Sequence, residues 1–252
     1  MSDDYTSDEM MAVAAARRLD DGTVCFVGIG IPSTAANLAR RLHAPECVLI
    51  YESGTIGARP QHLPLSIGDG ELAETALTVV SVPEIFAYWL QSGRIDLGFL
   101  GAAQIDRFAN LNTTVIGDYD APKVRLPGAG GAPEIASGCK ECMVVLKQTP
   151  RSFVERLDFR TTVGFGDGYG SRRQLGFGGR GVTSVITDLG VLEPNAETSE
   201  LTLTHVHEGI ESDDVRAATG WPLQVSEALS VEPRPTDEEL AALRTLKTAL
   251  EA

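Results

Sequence analysis

The chain has 252 residues, of which 43% are apolar and only 6% aromatic, enough for one large domain or two small ones around an aliphatic core. Its formal charge of -14 excludes nucleic acid and anionic membrane surfaces as partners, because both require a cationic footprint. No stretch is long and apolar enough to span a bilayer, and the acidic opening residues lack the basic flank and apolar centre of a signal peptide. These features, together with the four cysteines Cys25, Cys47, Cys139 and Cys142 read as reduced thiols, lead to the expectation of a cytoplasmic protein. An anionic ligand would have to be held by backbone amides, helix N-termini or a partner subunit rather than drawn in by charge.

In chain order, residues 1–8 read as a mobile acidic N-terminus and 9–252 as a single domain. Met10 to Leu19 reads as a helix started by an Asp or Ser cap. Thr23 to Val27 is a buried strand, Gly28-Ile29-Gly30-Ile31-Pro32 a turn, and Ser33 to Leu42 the following helix, with Ala35, Leu38 and Leu42 at helical spacing. Val48 to Tyr51 is a second strand. Thr78 to Val82 is expected as a strand, Pro83 to Gln91 as a helix with Pro first, and Ile95 to Gly101 as a very apolar strand. Further strands are expected at Thr113 to Ile116, Met143 to Leu146, Val182 to Thr187 and Leu201 to His205. Helices follow at Ser212 to Thr219, capped by Ser212, and at Asp237 to Leu250. Gly164 to Gly181, glycine-rich and carrying Arg172, Arg173 and Arg180, reads as a mobile loop rather than a domain boundary. Apolar strands alternating with helices predict an α/β fold: an open, mostly parallel sheet with helices on both faces.

Glu52 carries the sharpest chemical signal. A carboxylate stands where an apolar strand ends and the turn Ser53-Gly54-Thr55-Ile56-Gly57 begins, the edge at which open α/β sheets place their chemistry. It reads as a base or nucleophile over glycines that let a ligand approach, or as a carboxylate that caps a helix or pairs with an arginine such as Arg59. Gly28 and Gly30 lack the third glycine of a dinucleotide fingerprint, which favours a tight turn aiming a helix N-terminus at the same edge. Leu126-Pro127-Gly128-Ala129-Gly130-Gly131-Ala132-Pro133 offers exposed amides for an oxyanion hole, against the alternative of a flexible surface turn. Gln104 and Asp106 either line a pocket or fix a turn. Cys139 and Cys142 read as incidental thiols at a strand entrance rather than a redox pair or half a zinc site. His205 and His207 share one side of a strand without a further ligand, so no metal is expected.

These segments together resemble the B subunits of family I CoA-transferases. The resemblance rests on Glu52-Ser53-Gly54 after an apolar strand, the Gly28-x-Gly30-x-Pro32 turn, Leu100-Gly101-Ala102-Ala103-Gln104-x-Asp106, and Pro127-Gly128-Ala129-Gly130-Gly131-Ala132. It covers the chain from about Glu9 to the C-terminal helix. The branch is the glutaconate CoA-transferase-like one, and Tyr51 to Gly54 with Leu65 to Ala76 is similar to its 3-oxoadipate group. The resemblance implies the CoA-transferase and ribose-phosphate-isomerase-like fold and a hetero-oligomer with an A subunit. It also implies CoA, an acyl-CoA and a dicarboxylic acid as substrates, with no tightly bound cofactor. Glu52 falls on the family's nucleophile, which carries CoA as a glutamyl thioester. Gly128, Ala129, Gly130 and Gly131 fall on the oxyanion loop, and Ser53, Gly54, Gly28, Gly30 and Gln104 line the substrate site. The reaction implied is transfer of CoA from succinyl-CoA to 3-oxoadipate in aromatic-compound breakdown, by the β-ketoadipate route. A glutaconate-type acceptor or a ring-opening acyl-CoA hydrolase is the alternative on the same fold.

Overall fold

The computed structural model describes residues 5–248. Within the described residues, the span expected as one domain comprises two compact units, 5–99 with 234–248, and 100–233.

Unit 1 starts with α1 (Ser7–Ala16), earlier than the expected Met10 because Thr6, not an Asp or Ser, caps it. The Thr6 hydroxyl accepts from the Glu9 amide while the Glu9 carboxylate accepts from the Thr6 amide, a reciprocal cap. Residues 1–4 of the expected N-terminal segment lie outside the described residues. α1 is buried on every side from Met10 to Ala16, which its alanines permit. Strand β1 (Val24–Val27) leads to α2 (Ile31–Leu42), and β2 (Val48–Tyr51) runs parallel to β1. The short β3 (Thr55–Ile56) returns antiparallel to β2. It is followed by α3 (Gly70–Glu74), β4 (Thr78–Val79), α4 (Val82–Glu84) and β5 (Leu97–Leu100), which pairs parallel with β1. The strand order in this unit is β5-β1-β2-β3-β4.

The C-terminal helix, Asp237–Thr248, packs against α1 and α2. Arg17 pairs with Glu239, and Arg244 with the buried Glu9, whose carboxyl is held below its ordinary range chiefly by the Arg244 hydrogen bond. Residues 249–250 of the expected helix fall outside the described residues.

Two expectations in this unit are corrected. The strand expected to reach Val82 stops at Val79, because Ser81 and Glu84 form a capping box that starts α4. The helix expected over Pro83 to Gln91 is α-helical only to Glu84 and becomes π-helical over Ile85–Leu90. The Gln91 amide reaches back five residues to the Phe86 carbonyl at 2.9 Å, the wide ring of a π turn.

Unit 2 contains two small hairpins, β6 (Gln104–Ile105) with β7 (Leu111–Asn112) and β8 (Val115–Gly117) with β9 (Pro122–Arg125). Then come α5 (Ala132–Gly138), β10 (Glu141–Val145), α6 (Ser171–Gln174) and β11 (Gly181–Ile186). The unit ends with β12 (Gly190–Pro194), β13 (Leu201–His207), α7 (Ser212–Ala217) and β14 (Gln224–Glu232). Its main strands lie in the order β10-β11-β12-β13-β14, parallel at β10/β11 and β13/β14 and antiparallel between. Helix α7 is capped by Glu211 rather than Ser212. The α/β architecture expected from the sequence is present.

The glycine-rich span 164–181 is not a free loop. Arg172, 8% exposed, sits inside it and donates to three backbone carbonyls: Gly164 at 3.1 Å, Ala136 at 3.0 Å and Gly178 at 2.9 Å. Phe177 lies under its guanidinium at 5.5 Å. The planar fork of arginine suits three acceptors at fixed angles, whereas an ammonium would serve them poorly. Arg172→Met therefore should cost about 2–4 kcal/mol, since the buried carbonyls of Gly164 and Ala136, left without this donor, each carry a desolvation penalty. Urea midpoints and protease nicking within 164–181 measure this, and Arg172→Lys should recover only part of the loss.

Candidate active site

The register of β1 and β2 fixes the first part of the site. Val27 lies opposite Tyr51 in the parallel pair, so Gly28 and Glu52 leave the sheet side by side from adjacent strands. Such strands are about 4.8 Å apart, and this carboxyl edge is where open α/β sheets bind ligands. Gly30 (φ +84°) caps α2 without any side-chain hydrogen bond, leaving the helix start to its backbone amides. Gly28, Gly30, Glu52, Ser53 and Gly54 are thus brought to one edge of unit 1.

Glu52 and Ser53 are the two central residues of a tight turn closed by the Gly54 amide on the Tyr51 carbonyl at 3.0 Å. The turn is anchored on its far side, because the Gly54 carbonyl accepts from the Val80 amide at 2.9 Å. Gly54 has φ +111°, and a Cβ there would stand 2.0 Å from the Val80 carbonyl oxygen. Only glycine satisfies both conditions. The Glu52 side chain is half-buried and makes no hydrogen bond or ion pair to any described residue. The alternative of a pair with Arg59 does not hold: that guanidinium turns to the Pro45 carbonyl at 3.4 Å. Ser53 Oγ in this turn and Thr55 Oγ1 at the start of β3 are buried with no partner among the described residues.

The remaining expected residues lie in unit 2. Gln104 is buried, and its side chain accepts from Asn112 at 2.7 Å and from the Asp158 amide at 3.1 Å while donating to the Asp158 carboxylate. Asp106 accepts from the amides of Phe108 and Asn110 and from the Asn110 side chain. Both side chains fix the fold of this segment. In the glycine loop, the Gly128 amide is taken by the Thr113 carbonyl at 2.8 Å, which sets it apart from its neighbours. No hydrogen bond from the amides of Ala129, Gly130 or Gly131 is present among the described residues; Ala129 and Gly130 are exposed, and Gly131 opens α5. Unit 2 also has a cleft of about 510 Å³ beside Arg107, Arg156 and Arg160. Arg107 pairs with Glu155 and Glu200 and Arg160 with Asp167, so much of its positive charge is already neutralised.

All four cysteines are buried and none forms a disulfide. His207 Nε2 lies 2.7 Å from the Thr187 carbonyl oxygen, to which it donates, and His205 bonds the Thr204 hydroxyl. No cluster of three metal-ligating side chains occurs among the described residues.

Residues 8–218 match the model of the family described as Coenzyme A transferase. The chain belongs to the coenzyme A transferase family. It is 60% identical over 243 residues to the B subunit of the 3-oxoadipate CoA-transferase of Pseudomonas knackmussii, covering 96% of this chain and 94% of that one. It is 36% identical to the B subunit of the glutaconate CoA-transferase of Acidaminococcus fermentans, over 90% and 87% of the two chains. The crystal structure of the A. fermentans glutaconate coenzyme A-transferase superposes with a TM-score of 0.92 at 31% identity, covering 99% of this chain and 97% of that chain. The chain is therefore a CoA-transferase chain that aligns along nearly its whole length with B subunits.

Proposed function

We propose that the protein is the B subunit of a two-subunit CoA-transferase that passes CoA from succinyl-CoA to 3-oxoadipate through a glutamyl-CoA thioester on Glu52. The observation that supports this most is a half-buried carboxylate with no partner among the described residues, held in a glycine turn at the carboxyl edge of a parallel sheet. An unpaired carboxylate that is partly shielded from water is a better nucleophile than a solvated one, because less hydration must be stripped away.

The Glu52 carboxylate attacks the donor thioester carbonyl. The carbon–sulfur bond breaks, leaving an acyl-glutamyl anhydride and CoA thiolate. The thiolate attacks the glutamyl carbonyl, succinate departs, and Glu52 carries CoA. The acceptor carboxylate then displaces the thiolate to form a second anhydride. Attack of the thiolate on the acceptor's acyl carbon yields the new acyl-CoA and regenerates the Glu52 carboxylate. The amides of Ala129, Gly130 and Gly131 are the candidates to hold the developing oxyanion, each such donor lowering a barrier by about 3 kcal/mol. CoA and its esters are substrates here, and no resident cofactor takes part.

The chain's charge of -14 fits a division of labour in which an A subunit supplies the cations for CoA phosphates and substrate carboxylates. The pathway is breakdown of aromatic compounds by the β-ketoadipate route, in the cytoplasm. The test is to reconstitute the complex with its A subunit and supply succinyl-CoA with 3-oxoadipate, with glutaconate, or alone. Rapid transfer to 3-oxoadipate and slow thioester loss without acceptor are expected. Preference for glutaconate reassigns the acceptor, and fast loss without acceptor makes the enzyme a hydrolase.

A further inference from the structure

Tyr51, the residue before Glu52, is fully buried, and its hydroxyl has no role in the steps above. That hydroxyl lies 3.2 Å from Ser33 Oγ. Asn37 Nδ2 donates to the Ser33 carbonyl at 2.9 Å, reaches Ser33 Oγ at 3.3 Å, and lies 3.4 Å from the Tyr51 hydroxyl. Ser33 and Asn37 are four residues apart on α2, hence on one face, and that face meets the end of β2. Both are buried, and Asn37 Oδ1 has no partner among the described residues.

Packing alone does not call for this cluster. Ala35, Leu38 and Ala39 already bury α2, and an incompletely satisfied polar group in a core costs stability. Location distinguishes it. Ser33 stands three residues after Gly30, and Tyr51 one residue before Glu52. The cluster joins the two loops that leave the sheet side by side.

We propose that Tyr51, Ser33 and Asn37 form a positioning network that sets the aim of the Glu52 carboxylate against the Gly28–Gly30 loop. This rests on Glu52 being the nucleophile. With no hydrogen bond of its own to any described residue, the carboxylate takes its direction from the backbone of its turn. The hydroxyl contact pins that backbone to the first turns of α2. Burial pushes the Tyr51 hydroxyl above its ordinary range, against the opposing pull of Ser33 and Asn37, so it is neutral at neutral pH. Attack on a thioester carbonyl needs an approach of roughly 3–3.5 Å, and small misplacements are costly there.

The test uses the reconstituted two-subunit enzyme. Tyr51→Phe keeps the ring and removes the contact. It is expected to lower kcat by roughly 10–100-fold with KM for the acyl-CoA within about twofold of wild type, the signature of a misaimed nucleophile rather than lost binding. The rate of covalent CoA attachment to Glu52 in a single turnover should fall in step with kcat. Ser33→Ala should act similarly, and the double variant should be no worse than the worse single, because both remove one shared contact. Ser33→Thr, which keeps a hydroxyl, should restore most of the rate. Wild-type kcat and labelling in Tyr51→Phe overturn the proposal, as do independent, multiplicative losses in the double variant. Failure of the wild-type enzyme to label at Glu52 instead removes the nucleophile assignment itself.

Discussion

Glu52→Ala is expected to reduce CoA transfer by roughly 10⁴–10⁶-fold, the scale on which removing a covalent nucleophile acts. Stability should change little. The side chain is half-buried, pairs with no other described residue, and is not part of the hydrogen bonds that close the turn. The two readouts must separate: thermal and urea midpoints close to wild type, transfer close to background. Glu52→Asp makes a sharper case. It keeps the charge but withdraws the attacking oxygen by about the length of one carbon–carbon bond, and displacement near 1 Å costs about 10²-fold or more. A substantial residual rate in Glu52→Ala would mean that transfer runs without this carboxylate, for instance by direct attack of the acceptor on the thioester. Measuring both variants in the reconstituted complex distinguishes a nucleophile from a carboxylate that merely completes the pocket's charge.

Gly54→Ala is expected to be the most damaging single-methyl change in unit 1. The added Cβ would meet the Val80 carbonyl oxygen at 2.0 Å, with the carbonyl carbon at 3.1 Å, and both atoms belong to backbone. The same backbone is tied to Gly54 through the bond from the Val80 amide, so relieving the clash breaks that bond. A φ of +111° adds strain of about 1–3 kcal/mol for any residue other than glycine. Together the loss should reach about 3 kcal/mol or more, equivalent to a melting point lower by roughly 6–12 °C for a chain of this size. Activity should fall further than stability, since the turn that moves carries Glu52. Gly70→Ala is the matched control. Gly70 stands in open space at the start of α3 without a positive φ, and the alanine should be neutral or slightly stabilising. Equal effects of the two substitutions would show that the turn at Gly54 is looser than its contacts imply.

Much of the fold was legible because the buried strands are short apolar runs with little else they can become. Val24–Val27, Val48–Tyr51, Leu97–Leu100 and Glu141–Val145 are buried along nearly their whole length. Two of the elements that escaped, β9 and β14, lack that signature. β9 is exposed at Lys123, Val124 and Arg125, and β14 is exposed at several of its nine positions, so neither carries a clear apolar pattern. α1 begins early because its cap depends on a pair, Thr6 with Glu9, rather than on one favoured residue. The π-helical stretch Ile85–Leu90 reads as ordinary helix, since Ile-Phe-Ala-Tyr-Trp-Leu is apolar or aromatic throughout and carries no period that separates a π turn from an α turn.

The span 164–181 misleads for a different reason. Its glycines signal freedom, while its order comes from Arg172 and carbonyls as distant as Ala136, contacts that leave no local trace. The site divides in the same way. Glu52, Gly28, Gly30 and Gly54 follow from strand ends and turn chemistry. The Tyr51 cluster does not, although a buried Asn37 on the apolar face of α2 is the clue a sequence reader would have needed. For Gly128, composition promised a free amide, and only the fold reveals the Thr113 carbonyl that occupies it.

Intact-mass analysis of the chain, acid-quenched during turnover with acyl-CoA and its A subunit, tests the central claim most directly. CoA should be found covalently attached, with peptide mapping placing it at Glu52, and no adduct should form in Glu52→Ala. A chain that turns over at full rate yet carries no CoA at this residue, under conditions that preserve thioesters, would contradict the account.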